Sequence, residues 1–264
     1  MTLQADFLLI REHLAEDHEE DVQAQLVASH VAARIPDVGI IPEVDVFRSD
    51  PYLVARSLAS LDILSNGRAG FAPFAEPRGV LDIGFATVGT DDAFIGEFVL
   101  AVNRLWNNWQ AGALARDWSA NRYVDNRLIH RADHHGAHFS IRGPLPTPTA
   151  IQSAPFFLAK EHPAHRTIVG QAAAVIAAPG ATTGDFRRVL IEHALREVER
   201  PDDRTGTLGV LLHVGEDVSS WAELLDLSAA AAETLGWKPR SGGVNLAEKF
   251  KLAHAAELDG AEHV

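Results

Sequence analysis

The sequence predicts an α/β fold built on a parallel sheet, and three observations predict it. Short apolar runs alternate with stretches of helical periodicity along most of the chain, the pattern of strands joined by right-handed helical crossovers. With 264 residues, 47% of them hydrophobic, the chain can bury one sizeable core. No G-x-G-x-x-G or P-loop follows any strand, so a dinucleotide- or triphosphate-binding sheet lacks its best marker. Periodicity alone leaves an open doubly wound sheet and a closed barrel both standing.

Residues 7–10 read as the first strand. The acidic run 16–21 suits a helix start, since carboxylates complement the helix dipole there. Val22, Leu26, Val27, Val31 and Ile35 then recur at helical spacing until Pro36-Asp37 stops them. A β-rich run spans 38–46. Pro51 suits a first helical turn, and Leu53, Leu58, Leu61 and Leu64 continue that helix to the turn signal Ser65-Asn66-Gly67. A strand follows over 69–74. Residues 80–85 are a further apolar run without an assignable partner, and 94–109 read as a long amphipathic helix ending in two tryptophans.

Between 110 and 149 the alternation fails, and Pro144, Pro146 and Pro148 mark its end. This stretch reads as an insertion lying over the sheet. Alternation resumes with strands at 156–159 and 175–178, helices at 166–172 and 185–198, and a last clear strand at 207–214. Helices over 221–235 and 246–258 close the chain, divided by Ser241-Gly242-Gly243.

Composition removes several function classes. Asp and Glu outnumber Lys and Arg by 36 to 23, so the mean surface field repels phosphate backbones and anionic lipid, and nucleic acid is not an expected partner. There is no cysteine, which excludes disulfides, thiolate metal sites and a cysteine nucleophile. No apolar run approaches the roughly 20 residues that span a bilayer. The start of the chain lacks the basic and small-residue pattern of a secretory signal, so the expected location is cytoplasmic, away from any membrane.

Two segments carry a family resemblance. Residues 50–70, from Asp50-Pro51-Tyr52 through Ala55-Arg56 and Leu61-Asp62 to Gly67-Arg68-Ala69-Gly70, resemble a helix and turn of luciferase-like monooxygenases. Asp133-His-His-Gly-Ala-His-Phe-Ser-Ile-Arg-Gly-Pro-Leu145 is similar to the insertion found in the nitrilotriacetate, alkanesulfonate and dibenzothiophene-sulfone branch. Trp106 and Trp109 stand upstream as in that branch. The resemblance runs from about Ala5 to about Val214.

The resemblance implies a (β/α)8 TIM-barrel-like fold, here incomplete. It is one domain over 1–264, with its insertion at 110–150 and C-terminal helices at 218–260. It also implies reduced FMN, dioxygen and a small organic substrate, with a separate flavin reductase and a homodimer as partners. The family's site lies at the strand C-termini. Carried over position by position, Glu12 matches the carboxylate after the family's second strand. Glu43 and Asp45 replace a threonine and a serine, Ala72 replaces an asparagine, and Lys160, Glu161, His162 and Pro163 replace the phosphate loop. The flavin-binding set is therefore Glu12, Glu43, Ala72, Lys160, His162 and Arg166, with His134 and His138 of the insertion as catalytic candidates. The matching first and eighth strands have no clear counterpart, which leaves six.

Other readings compete. Arg56, Asp62 and Arg68 read as scaffold, pinning the helix to its turn by ion pairs. His130, His134, His135 and His138 could ligate a metal, but Gly136 puts them in a loop, and no metal is expected. A serine hydrolase lacks its G-x-S-x-G elbow. Glu12, Glu43, Asp45 and Glu76 could pair as glycosidase-like carboxylates, or simply partner Arg11, Arg48 and Arg78. The alternative from a different class is a non-catalytic homologue serving as a binding or partner subunit.

Overall fold

The computed structural model describes residues 5–12, 22–74, 92–152, 156–160, 174–177, 189–194, 207–213 and 221–235. Its main sheet contains β1 (Phe7–Ile10), β2 (Gly39–Asp45), β3 (Gly70–Phe74), β6 (Phe156–Lys160), β7 (Ala174–Ala177), β8 (Val189–Ala194) and β9 (Thr207–His213). All pairings are parallel, in the order β1-β2-β3-β6-β7-β8-β9. A doubly wound sheet reverses its strand order at a switch point, whereas this one adds every strand on the same side, as a (β/α) barrel does. The short strands β4 (His134–His135) and β5 (Ser140–Ile141) form a separate antiparallel hairpin. Helices α1 (Ala24–Ala32), α2 (Pro51–Ser65), α3 (Asp92–Trp106) and α4 (Trp221–Leu235), with a 3-10 turn at Asn126–Leu128, complete the described elements.

Side-chain alternation divides the sheet into two buried faces. Val44, Phe71, Phe157 and Ala159 pack with Leu58 of α2 and Phe98 of α3, while Ile40 and Ala69 pack with Ala28 of α1 and Leu61 of α2. The opposite positions, Ile41, Glu43 and Asp45 of β2, Ala72 and Phe74 of β3 and Phe156 and Leu158 of β6, are also buried. Burial on both faces is what a parallel sheet wrapped by helices requires. The sheet also curls. Phe7 and Phe156 lie three strand spacings apart along the sheet, about 14 Å if it were flat, yet their ring centroids are 6.4 Å apart. Gly70 permits the close approach of β3 to its neighbours, because a Cβ there would stand 2.6 Å from the Phe156 carbonyl oxygen and 3.1 Å from Ile41.

Local signals explain the α2 boundaries. Asp50 accepts from the Tyr52 and Leu53 amides and Pro51 occupies the first turn. At the other end Asn66 (φ 59°) and Gly67 (φ 80°) both adopt left-handed conformations. The Arg68 guanidinium then donates to the carbonyls of Ser65, Ile35, Val38 and Ala32, tying the ends of α1 and α2 together. Asp62 is fully buried and accepts from the Gln152 backbone amide (2.9 Å) and side-chain amide (2.7 Å). The pinning anticipated for Asp62 and Arg68 is thus real, but Asp62 acts through amides and Arg68 mainly through carbonyls, with Asp37 as its charged neighbour, and Arg56 is exposed.

Two readings need correction. Residues 185–198 were expected as a helix, yet Val189–Ala194 form β8 between β7 and β9. The run Val-Leu-Ile-Glu-His-Ala suits either state, and edge-to-edge demand from two neighbouring strands decides it. Consequently the sheet has seven described strands instead of six. On α1 the buried residues are Ala24, Ala28 and Ala32, while Val22 and Leu26 are exposed. Alanine allows the helix to approach the sheet closely, so the small residues face inward. The expected elements at 80–85, 166–172 and 246–258 lie outside the described residues.

Two outcomes are expected at Asp62. Replacing it with alanine orphans two buried Gln152 donors, at about 1–3 kcal/mol each, so chemical denaturation should show a loss of that order. Burial raises the Asp62 carboxyl above 3.8 despite its amide donors, so its contribution is greatest below that value and declines as pH rises through the folded value. The stability difference between wild type and Asp62→Asn should therefore move in the variant's favour from acid to neutral pH.

Candidate functional site at the strand C-termini

Glu43 is buried on the interior face of β2 with only 3% of its surface exposed. Its Oε2 accepts the Glu12 backbone amide at 3.2 Å. Its Oε1 is approached by Lys160 Nζ at 3.0 Å and, beyond hydrogen-bond distance, by Arg11 Nε at 3.7 Å, and it makes no hydrogen bond to either. The contact is ionic in character. Lys160 ends β6 and Glu43 sits on β2, the two strands that flank β3. In a barrel, alternate strands fill one interior layer, so the two side chains meet across β3. Ala72, in register with Glu43, is the β3 residue they cross, and its single methyl leaves that crossing open.

Other charges at this end are also matched. Asp45 accepts the Phe47 amide at 3.0 Å and faces Arg48 at 3.8 Å. Glu12 Oε2 accepts the Ala24 amide at 2.8 Å, supplying the cap that Gln23 does not give α1. The carboxylates at Glu12, Glu43 and Asp45 thus face a helix N-terminus and three cations, and the charges balance. The pairings suggested for Arg11 and Arg48 are present, whereas Glu76 and Arg78 lie outside the described residues.

The insertion docks beside this end. Phe47, just beyond β2, stacks on Phe94 of α3 at 5.3 Å, and Phe94 meets the His138 ring at 5.2 Å and Phe139 at 5.0 Å. The two indoles bolt down the remainder, Trp106 donating to the Gln152 carbonyl and Trp109 to the Leu145 carbonyl. His134 is buried between Arg104, 3.1 Å from Nδ1, and Glu97, 3.0 Å from Nε2. Because a guanidinium only donates, Nδ1 accepts and Nε2–H donates to Glu97. Glu97 also accepts the His138 and Phe139 amides at 2.9 and 2.8 Å. Burial pushes the Glu97 carboxyl up, but these three donors outweigh it and hold it below its usual value.

The structure therefore separates the expected site residues into groups. Glu43, Ala72 and Lys160 converge at the interior mouth. Glu12 touches that cluster through its backbone while its carboxylate serves α1. His134 is committed to Glu97 and Arg104, and His138 is exposed at the rim. His162 and Arg166 lie outside the described residues. Of the remaining insertion histidines, His135 bonds Ser140 and His130 is exposed. Among the described residues no three metal-capable side chains converge, and no helix is long and apolar enough to cross a membrane. Glu97 and Arg104 went unread in the sequence, although their seven-residue spacing places them on one helix face.

A sequential parallel barrel with its polar residues at the strand C-termini matches a known family model, described as luciferase-like monooxygenase, over residues 5–262. The chain belongs to the luciferase-like monooxygenase family. Nitrilotriacetate monooxygenase component A of Aminobacter aminovorans is 30% identical over 69% of this chain and 42% of its own length. Dibenzothiophene-sulfone monooxygenase of Rhodococcus erythropolis is 34% identical over 50% of this chain and 30% of its own. The chain thus spans less than half the length of these relatives. Among solved structures, riboflavin lyase superposes with a TM-score of 0.61 at 20% identity, covering 96% of this chain and 65% of that one. EDTA monooxygenase from Chelativorans gives 0.56 at 23% identity, covering 89% and 56%. Such identities establish the shared barrel and no more.

The ion pair across β3 generates a double-mutant test. Lys160→Met leaves a buried carboxylate short of its nearest cation and should cost about 1–3 kcal/mol in urea denaturation. Adding Glu43→Gln should recover most of that loss, since the charge needing compensation is then gone.

Proposed function

We propose that this luciferase-like domain is the oxygenating part of a two-component flavin-dependent monooxygenase. On this reading reduced FMN from a separate reductase, dioxygen and a small organic substrate meet at the C-terminal mouth of a cytoplasmic homodimer. Family membership supports the chemistry, and the component A in one relative's name supports a separate supplier of flavin. The single observation that carries the reading is the meeting of Glu43 and Lys160 on one interior layer at the strand ends, across Ala72 of β3.

Those residues suit the edge of an isoalloxazine ring. Such an edge carries N–H donors and carbonyl acceptors, and here stand a buried carboxylate oxygen without a directed hydrogen bond and an ammonium beside it. Glu43 would accept from the ring, Lys160 would donate to it, and Ala72 would leave it room. His162 and Arg166 would hold the phosphate by charge-assisted hydrogen bonds. Reduced flavin, when bound, supplies the electrons that activate dioxygen. The chain's own work is to orient the ring and exclude water, and His138 at the rim is the candidate to move a proton to or from the substrate. His134 would act through Glu97 rather than on the substrate.

One observation favours a second reading, the non-catalytic partner subunit. Glu43 and Lys160 already satisfy each other's charge, so the mouth is electrostatically complete without a ligand. Titration with FMN, oxidised and dithionite-reduced, separates the two. The enzyme reading expects saturable quenching of flavin fluorescence at micromolar protein, weakened in Lys160→Met. No quenching with oxidised FMN, together with no binding of reduced FMN by equilibrium dialysis, would sink it and leave the partner subunit.

A further inference from the structure

The most unusual arrangement outside the mouth is a carboxylate housed inside the turn of a hairpin. Glu97 projects from α3 into the loop between β4 and β5, where it takes the His138 amide, the Phe139 amide and the His134 imidazole. Gly136 makes this possible, because a Cβ at that position would fall on the Glu97 carboxylate itself. The turn is closed over it by the Gly136 amide donating to the Phe139 carbonyl at 2.9 Å. Arg104, two turns further along α3, holds the far side of His134. A two-residue strand pair has little stability of its own, so the hairpin's conformation must come from what it grips.

What the hairpin presents is His138 and Phe139, set against Phe94, whose other neighbour Phe47 follows the mouth end of β2. We propose that Glu97 is a positioning residue for the barrel mouth. Its carboxylate anchors the β4–β5 hairpin as one wall of the mouth and thereby sets the place of the His138 imidazole. The link from this wall to ligand binding rests on the flavin reading above, whereas the anchoring does not.

The test uses the full chain with Glu97→Gln, Gly136→Ala and His138→Ala. Glutamine keeps the size but loses the charge and one acceptor oxygen, and alanine at 136 expels the carboxylate without touching α3. Hydrogen–deuterium exchange of the 134–141 peptide should quicken by about tenfold in both variants, the size of one lost charge-assisted hydrogen bond, with α3 and β2 unchanged. Carbethoxylation of His138 by diethylpyrocarbonate, located by peptide mass, should quicken with it. FMN affinity should fall in Glu97→Gln and Gly136→Ala, while hairpin exchange stays at the wild-type rate in His138→Ala.

Wild-type exchange rates in Glu97→Gln and Gly136→Ala would overturn the anchoring. Faster exchange combined with undiminished FMN affinity would overturn the mouth-wall role. If wild type itself binds no FMN, the flavin reading falls, and exchange and His138 modification still decide the positioning claim. Should Glu97→Gln fail to fold, Gly136→Ala carries the comparison.

Discussion

A carboxylate buried on the inner face of a sheet has to be compensated, since an ion removed from water without a partner costs several kcal/mol. Glu43 is such a group, and its compensation comes from three directions: the Glu12 amide beyond β1, the Arg11 guanidinium beside it, and Lys160 at the end of β6. Meeting that demand brings side chains from the ends of β1, β2 and β6 together at one end of the sheet. Between Glu43 and Lys160 on β3 stands Ala72, in register with Glu43, whose single methyl takes up little of the space they cross. The polar mouth is therefore a consequence of barrel geometry and of one side chain's need for counter-charge.

The helical shell is assembled on a different principle. Backbone groups left over at helix ends and turns are gathered by a few polar side chains: Glu12 at the start of α1, Arg68 at its end, and Asp62 where α2 faces Gln152. Each joins segments far apart in sequence, so small residues such as Ala28, Ala32 and Gly70 can then bring helix and strand close. The insertion repeats the device at its own scale, with Glu97 serving as the partner that a short hairpin lacks. This distribution of labour explains why the family's motif residues around 50–70 are architectural here.

Functionally, two histidines that look alike in the sequence have unequal prospects. His134 has both ring nitrogens engaged by Arg104 and Glu97, whereas His138 keeps an exposed imidazole held edge-on to Phe94. A proton-transfer group needs access to the substrate. Only His138 has it.

Much of the architecture was legible in the residues. The strands at 7–10, 39–45 and 70–74, the capped helix 51–65 and the helix 221–235 announced themselves through alternation, Pro51 and Asn66-Gly67, because local propensity and burial agree there. Family membership was equally legible, in segments whose spacing survives divergence. Three things were decided only by tertiary structure. Val189–Ala194 became a strand since two strand edges required a partner. The inward face of α1 fell to alanines because close approach outweighs hydrophobicity. Glu43, Lys160 and Ala72 became neighbours at one end of the sheet, and Glu97 the partner of a loop some 40 residues away, because contacts between distant segments leave no periodic trace in the chain.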